Sequence, residues 1–342
     1  MNATVRRLAP RVLSTLLTLW GLATAMFLIN QLIPGDQAAA AAGRDASPEQ
    51  IEAVRIRLGL DRPVWEQYVL HLDRLVHGDF GTSTVTLQPV LTDLGRLLPS
   101  SVELVVAAMV FALVAGSVPA LFDASRGRPA GGVMLRLTAV TAGGVPAFWL
   151  AFLLQYLLGT RLGWFPVASR LSPGLDVPTV TGMTTVDAVL SGSPTAVSDA
   201  LAHLMLPAVV LGLAPAAALF RTLRTSLATE LSQDYVVVAR SKGASMRQIL
   251  VRHSLRNAAI PSLSLVGLQV GWAFAGVVLV ESVFTRQGIG SYLVTAVQQK
   301  DSQAVFGTVM FTGLIVVVVN LLVDIGQSVL DPRIRRVRLA AA

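Results

Sequence analysis

The residues best placed to do work in this chain lie in one basic stretch between two apolar runs. It reads Asp234-Tyr235-Val236-Val237-Val238-Ala239-Arg240-Ser241-Lys242-Gly243, then nine residues, then His253-Ser254-Leu255-Arg256. These side chains offer charge and shape for docking a partner rather than groups for making or breaking bonds. The usual catalytic patterns are missing elsewhere. The four histidines, His71, His77, His203 and His253, show no HExxH or other paired-ligand spacing, and His71 and His77 stand six apart, off one helix face. No cysteine is present, which excludes disulfides, thiolate metal sites and cysteine nucleophiles. No Gly-x-x-x-x-Gly-Lys-Ser/Thr phosphate loop occurs, so ATP hydrolysis by this chain is not expected. The sequence therefore assigns no catalytic, cofactor-binding or metal-ligating residue.

Local signals predict how the basic stretch is held. Ser232 suits a helix N-cap, and Asp234 in the first turn complements the helix dipole. Arg240 and Lys242 lie in the last turn, where positive charge is favoured, and Gly243 fits the left-handed position that closes a helix. A helix of about three turns is expected over 232–242. Ser245 is placed to cap a second helix over 246–259, with Ile249, Leu250 and His253 on one face and Arg247, Arg252 and Arg256 on others. Pro261 then falls near the start of the next apolar run. A helix, a glycine and a second helix, each cleanly ended, form a device for passing force from a docked protein to membrane helices. The plainer alternative is a solvated connector.

The rest of the chain explains why a membrane is involved. Hydrophobic residues make up 53% of 342 and charged residues 14%, against about 25% charged in a typical soluble domain. Mean hydropathy is +0.64. Six runs, 12–35, 104–122, 137–160, 204–220, 257–280 and 302–323, contain no Asp, Glu, Lys or Arg. About 20 apolar residues span a bilayer core, and in lipid the backbone must satisfy its own hydrogen bonds, so these runs are expected to be helices. The fourth run is short and carries Pro207 and Pro215; extending it back through His203 and Leu201 restores its length.

Segments 1–11, 123–136, 221–256 and 331–342 hold 17 of the 27 basic residues, and this denser set is expected on the cytoplasmic side, with both termini. The net charge of +7 then reflects topology; the basic residues are dispersed among loops, which argues against nucleic-acid binding. Ala23-Thr24-Ala25 resembles a signal-peptidase site, but the apolar run continues to Ile33, which favours a retained helix.

Outside the membrane, residues 36–98 read as a small folded, membrane-apposed region. Ser47-Pro48-Glu49 marks a helix start. A second amphipathic helix is expected from 63 to 76, with Val64, Trp65, Tyr68, Val69, Leu72, Leu75 and Val76 on its buried side. The region serves either as a cap over the bundle or as a surface for an outside partner. Ser100 and Glu103 have capping-box spacing at the start of the second run, and a cap is the simpler reading than a substrate contact. Gly143, Gly144 and Pro146 in the third run allow either close packing or a flexing point in a gated pathway. Residues 161–200 read as an outside loop of low order. No internal repeat is visible.

The loop also carries a resemblance. Gly243 followed by His253-x-Leu255-Arg256 resembles the EAA loop of ABC importer permeases. Val237-Val238-Ala239 stands where the usual triad is Glu-Ala-Ala, and His253 and Arg256 replace Ile and Pro. Ser232-Gln233-Asp234-Tyr235-Val236, Ala239-Arg240, Lys242-Gly243 and Arg252-His253-Ser254-Leu255-Arg256-Asn257 match the oligopeptide/dipeptide/nickel permease family, first-subunit type. Leu32-Ile33-Pro34-Gly35-Asp36, Leu58-Gly59-Leu60-Asp61-Arg62-Pro63, Gly78-Asp79-Phe80-Gly81, Asn320 to Asp324 and Leu330-Asp331-Pro332-Arg333 also sit where that family has them, so the likeness covers nearly the whole chain. Thr285-Arg286-Gln287-Gly288 departs from it, since relatives usually carry Trp-Pro before the glycine. Arg286 and Gln287 are expected on the outer side, where the departure bears on binding-protein docking.

This resemblance implies an all-α integral membrane protein with six transmembrane helices of the type I ABC importer permease (MetI-like) fold. Residues 1–35 would form the N-terminal tail and first helix, 36–98 an extracytoplasmic insertion, and 99–342 the permease core, including a cytoplasmic coupling loop at 221–258. The chain would be the non-catalytic translocation subunit of an ATP-driven importer of di- and oligopeptides in the inner (plasma) membrane; haem and nickel chelates are the family's alternative cargoes. It would pair with a second homologous permease, two ABC ATPase subunits that bind ATP and Mg, and an external solute-binding protein. Ser232, Asp234, Tyr235, Ala239, Arg240, Lys242, Gly243, Arg252, His253 and Arg256 would couple it to an ATPase. A gradient-driven secondary transporter is the rival class, but it needs ionisable groups at mid-membrane, and the six runs have none. Asn320 and Asp324, four apart, read as a helix-to-helix contact. A passive channel would have no need for a docking lever.

Overall fold

The computed structural model describes residues 3–32, 37–42, 46–126, 141 and 143–330. Over these the chain is helical apart from turns, loops and one isolated bridge between Thr82 and Pro89. The helices are α1 (Ala3–Leu32), α2 (Gln37–Ala42), α3 (Pro48–Leu58), α4 (Val64–Val76), α5 (Val90–Arg126), α6 (Ala147–Leu154), α7 (Thr184–Leu190), α8 (Pro194–Leu231), α9 (Asp234–Ser241), α10 (Met246–Ile249), α11 (Leu255–Val283), α12 (Ile289–Gln298) and α13 (Ser302–Leu330). Two wider π-helical stretches join the set. Gln155–Arg161 extends α6, and Leu250–Ser254 links α10 to α11, so that 246–283 is one uninterrupted helical rod.

Five of these described helices are long and apolar enough to cross a membrane: Leu13–Leu32, Val90–Ser125, Pro194–Leu231, Met246–Val283 and Ser302–Val323. They answer five of the six expected runs. The third run, 137–160, falls partly outside the described residues, and its described part is α6 with the π-helical stretch after it. The helices of the fourth and fifth runs, Pro194–Leu231 and Met246–Val283, are much longer than their uncharged cores, at 38 residues each. Charge at a run's edge did not end them because polar side chains at helix ends can reach water while the backbone ladder continues. Pro207, Pro215 and Pro261 are all inside helices, where neighbouring helices tolerate the lost N–H.

The chain forms two compact units. Residues 1–99 with 287–317 make the first, and 100–286 with 318–342 the second. In the first, Val90 and Leu94 of α5 bury against Ile289 and Ala296 of α12 and Ala304 of α13. Buried Asp301 organises this core. Its carboxylate accepts from Ser83 Oγ (2.6 Å), from the Thr84 backbone N–H (2.8 Å) and from the Ala304 N–H (3.0 Å) in the first turn of α13. α3 opens as expected, with a capping box between Ser47 and Gln50 and Pro48 at its first turn, and Gly59 closes it at φ 70°.

In the second unit, close helix approach replaces bulk. A side chain on Gly212 of α8 would clash with the Ala108 carbonyl oxygen of α5, and one on Gly116 would meet the Ala216 carbonyl oxygen at 2.7 Å. Small residues let membrane helices pack backbone to backbone, where apolar burial drives nothing. Two expectations are corrected in this unit. Ser100 and Glu103 do not cap a helix, since α5 starts ten residues before Ser100 and both lie inside it. Residues 161–200 are not a loop of low order; they include the end of the π-helical stretch, α7 and the first turns of α8, pinned by side-chain hydrogen bonds.

Candidate functional site

The basic stretch folds as a short helix slung between two membrane rods. α9 is shorter than expected, at eight residues, because Ser232 does not cap it. Ser232 instead ends α8, with near-helical backbone (φ −89°, ψ −1°), and its hydroxyl donates back to the Thr229 carbonyl (2.8 Å). Gln233 makes the extended turn into α9, without a side-chain cap, and Asp234 sits in the first turn. The C-terminal reading holds. Gly243 takes φ +82°, its N–H bonds to the Arg240 carbonyl (2.9 Å), and the Ala244 N–H reaches back to the Ala239 carbonyl (3.1 Å). These two bonds are the paired closure of a Schellman motif. Ser245 then caps the next helix in a box with Gln248.

The helix is tied to both neighbours at its root. Tyr235 Oη donates to the Glu230 carboxylate at the end of α8 (2.7 Å) and lies 3.4 Å from Ser254 Oγ. Asn257 Nδ2 donates to the same Glu230 oxygen (3.2 Å). Desolvation pushes the Tyr235 phenol above its ordinary pKa. Beneath this clasp, Phe220, Leu223 and Leu227 of α8 pack with Ala120 of α5, Leu250 and Ala258. Arg224 Nε pairs with Asp123 at 2.5 Å, joining α8 to α5.

Val236 is the inward anchor of α9. Val237 is 62% exposed and Val238 53%, with Arg240, Lys242 and Gly243 exposed beside them and Ala239 half-buried. On the second helix Ile249 and Leu250 are buried, but His253 is exposed with Arg252 and Arg256. The expectation that His253 shares the face of Ile249 and Leu250 fails because the π-helical turn at 250–254 changes the rotation per residue. The outcome is a pair of exposed valines on a short helix that also exposes Arg240, its root fixed to two long helices.

The third-run candidates lie apart from this. Gly143 and Gly144 are helical, the helix breaks at Val145, and Pro146 precedes α6 in extended conformation (φ −59°, ψ 130°). A side chain on Gly143 would touch Ala217 Cβ of α8 at 3.4 Å, while nothing lies within 4 Å of Gly144. Asn320 is on α13; the Asp324 side chain is outside those described. Among the described residues no group of three or more His, Cys, Asp or Glu could hold a metal ion.

Sequence reasoning missed a buried ionic cluster in the second unit. Arg286 is 1% exposed, and its guanidinium pairs with the carboxylate of Glu103. The other Glu103 oxygen accepts the Thr185 N–H (2.6 Å). Glu281, fully buried, accepts from Ser101 Oγ (2.6 Å), and its carbonyl accepts the Arg286 N–H (2.9 Å). Burial lowers the Arg286 pKa, opposed chiefly by the charge of Glu103. Arg170 joins the field of the same carboxylates and donates to the Gly182 carbonyl (2.6 Å). Asp187 is buried too, which pushes its carboxyl up, but donation from Thr181 N–H, Thr181 Oγ and Gly182 N–H outweighs this and holds it below the ordinary value. Glu103 and Glu281 just outside apolar runs, with Arg286 close after, were the available signal. Only the fold shows that they meet.

These features define a multi-pass helical membrane protein with a short exposed helix clasped between two long ones. The comparisons place it further. Residues 108–336 match the family described as "Binding-protein-dependent transport system inner membrane component", and residues 4–95 match its N-terminal companion. The chain belongs to this family, the membrane component of a transport system that has other components. It is 38% identical to the di/tripeptide transport system permease protein DppB of Pseudomonas aeruginosa, over 94% of this chain and 96% of that one. It is 36% identical to the dipeptide transport system permease protein DppB of Escherichia coli, over 93% and 95%. The corresponding protein of Alkalihalophilus pseudofirmus is 34% identical over 95% and 98%.

Proposed function

We propose that this chain is the translocation subunit of an ATP-driven importer of di- and oligopeptides. Relatives named as dipeptide and di/tripeptide permeases, aligned over more than nine-tenths of both chains, support peptide cargo over haem or nickel chelates. The fold is the six-span importer core, with residues 36–98 as an extracytoplasmic insertion, 99–342 as the permease core and both termini in the cytoplasm. A second homologous permease completes the pathway. Two ATPase subunits carry ATP and Mg, and an external binding protein delivers the peptide.

The single observation that carries the coupling mechanism is the mounting of α9. Its root is clasped through Tyr235, Glu230, Ser254 and Asn257 to the ends of α8 and α11, while Val237 and Val238 are presented to solvent. A protein gripping those valines and the exposed cations of the same loop, Arg240, Lys242, Arg252 and Arg256, moves two membrane rods as rigid bodies. Asp234, Ala239, Gly243 and His253 complete the contact surface, with Ser232 at the turn that aims it. The break at Gly143, Gly144 and Pro146 supplies a flexing point in the pathway.

A tagged pull-down in mild detergent tests the assembly. A second permease and ABC ATPases are expected to come down with the wild-type chain. Recovery of the chain alone or as a homo-oligomer, reproducibly without ATPases, would overturn the proposal and favour a gradient-driven carrier.

A further inference from the structure

α4 was expected to bury Val64, Trp65, Val69 and Val76, yet it has no fully buried residue. Trp65 is 68% exposed, Val69 59% and Val76 84%. On a helix of 3.6 residues per turn these three, with half-buried Leu72, fall on one stripe. The acidic side chains Glu66 and Asp73 lie to one side of it. Gln67, Leu70, His71 and Arg74 point another way, into a cavity of about 600 Å³ that they line with Arg57 and Lys300.

The depth of α4 decides what faces the stripe. α4 packs on α1 within its membrane-crossing segment Leu13–Leu32. Tyr68 Oη and Thr24 Oγ1 are 2.7 Å apart, the Phe27 ring meets Tyr68 edge-on and His71 at a tilt with centroids 5.3 and 5.5 Å apart, and Gln31 Nε2 donates to Gln67 (2.9 Å). Thr24 and Phe27 are eight and five residues short of the end of α1, which at 1.5 Å per residue is about 12 and 8 Å along the helix. On α1 itself Leu28, Ile29 and Leu32 are exposed apolar residues of the same membrane-crossing segment.

We infer that α4 is an in-plane interfacial helix of the outer leaflet, with the Trp65–Val69–Leu72–Val76 stripe in contact with acyl chains rather than with water or a partner protein. The position of Trp65 suits this, since an indole favours the boundary between headgroups and hydrocarbon. The polar edge stays at the waterline and the cavity side stays wet. The inference takes its leaflet from the proposed placement of residues 36–98 outside the cytoplasm, and holds whichever cargo the importer carries.

The absence of cysteine gives a direct test. Single variants Val69→Cys, Val76→Cys and Asp73→Cys are made in the assembled transporter, labelled with bimane and reconstituted in phosphatidylcholine with or without brominated acyl chains. The cysteine-free wild-type chain in the same complex measures label on other subunits. About half of the emission at 69 and 76 should be lost to bromine, with far less lost at 73. Equal, weak quenching at all three positions would place the stripe in water. Labels at 69 and 76 that are unquenched and refuse a water-soluble quencher would place it against protein. Either result overturns the inference, and neither bears on ATP-driven uptake.

Discussion

Arg286 is the residue whose surroundings the sequence conveyed least. A cation after the fifth apolar run is expected on the outer side, but nothing local shows that it is sealed against Glu103, with Glu281 beside it. An ion pair in such a place gains little over an apolar pair but is costly to halve, since removing one partner strands the other charge. Arg286→Met should therefore destabilise the chain by about 3–5 kcal/mol, and adding Glu103→Gln should restore part of that loss. Thermal unfolding of the purified protein in detergent measures both; an unchanged midpoint in the single variant would show the pair to be inert. Tyr292 gives a pH test in the first unit. Burial, with a smaller part from Asp93, which it meets at 3.2 Å, raises its phenol from 10.0 to about 12. A raised folded-state pKa contributes stability that is complete below pH 10.0 and fades as pH rises through about 12. Tyr292→Phe should flatten the alkaline fall in melting temperature within that window. A fall as steep as wild type would mean that another group sets it.

At the scale of elements, α9 divides what could be read in advance from what could not. Asp234, Arg240, Lys242 and Gly243 obey local rules of dipole and closure, so the end of the helix was legible. Its start was not, because Ser232 could serve either neighbour and the longer helix took it. Ser100 and Glu103 failed likewise: capping-box spacing is short-range, and nothing local reveals that a helix has already run ten residues. The stripe on α4 was legible as amphipathic, but periodicity gives a face and not its occupant. The exposed valines of α9 carry the element's own prediction. Val238→Asp should leave membrane level and melting temperature unchanged, since the site is solvent-exposed, while lowering ATP-driven uptake about tenfold or more, as expected for an anchor at the centre of an interface. Wild-type uptake by this variant would remove α9 from the coupling path.

At the scale of the whole molecule, the account joins a membrane protein without mid-membrane charges in its apolar runs to an energy source held elsewhere. The membrane class was written in the apolar runs and the asymmetry of Arg and Lys. The family was carried by spaced motifs along nearly the whole length. Packing was not legible in this way: Gly212 against Ala108 and Gly116 against Ala216 depend on pairing helices whose order in space no local pattern encodes. In the proposed mechanism force crosses α9, and Gly243 is where that helix is closed. At φ +82° proline cannot follow the backbone, and its missing N–H deletes the bond to Arg240.

The most direct measurement is uptake of a labelled dipeptide into proteoliposomes holding the complete transporter, with wild-type chain or Gly243→Pro, driven either by ATP or by a proton gradient alone. The account predicts accumulation with ATP only, abolished by Gly243→Pro in protein that is still inserted and assembled with the second permease. Uptake that follows the proton gradient and ignores ATP, or ATP-driven uptake at the wild-type rate by a stably inserted Gly243→Pro chain, would contradict it.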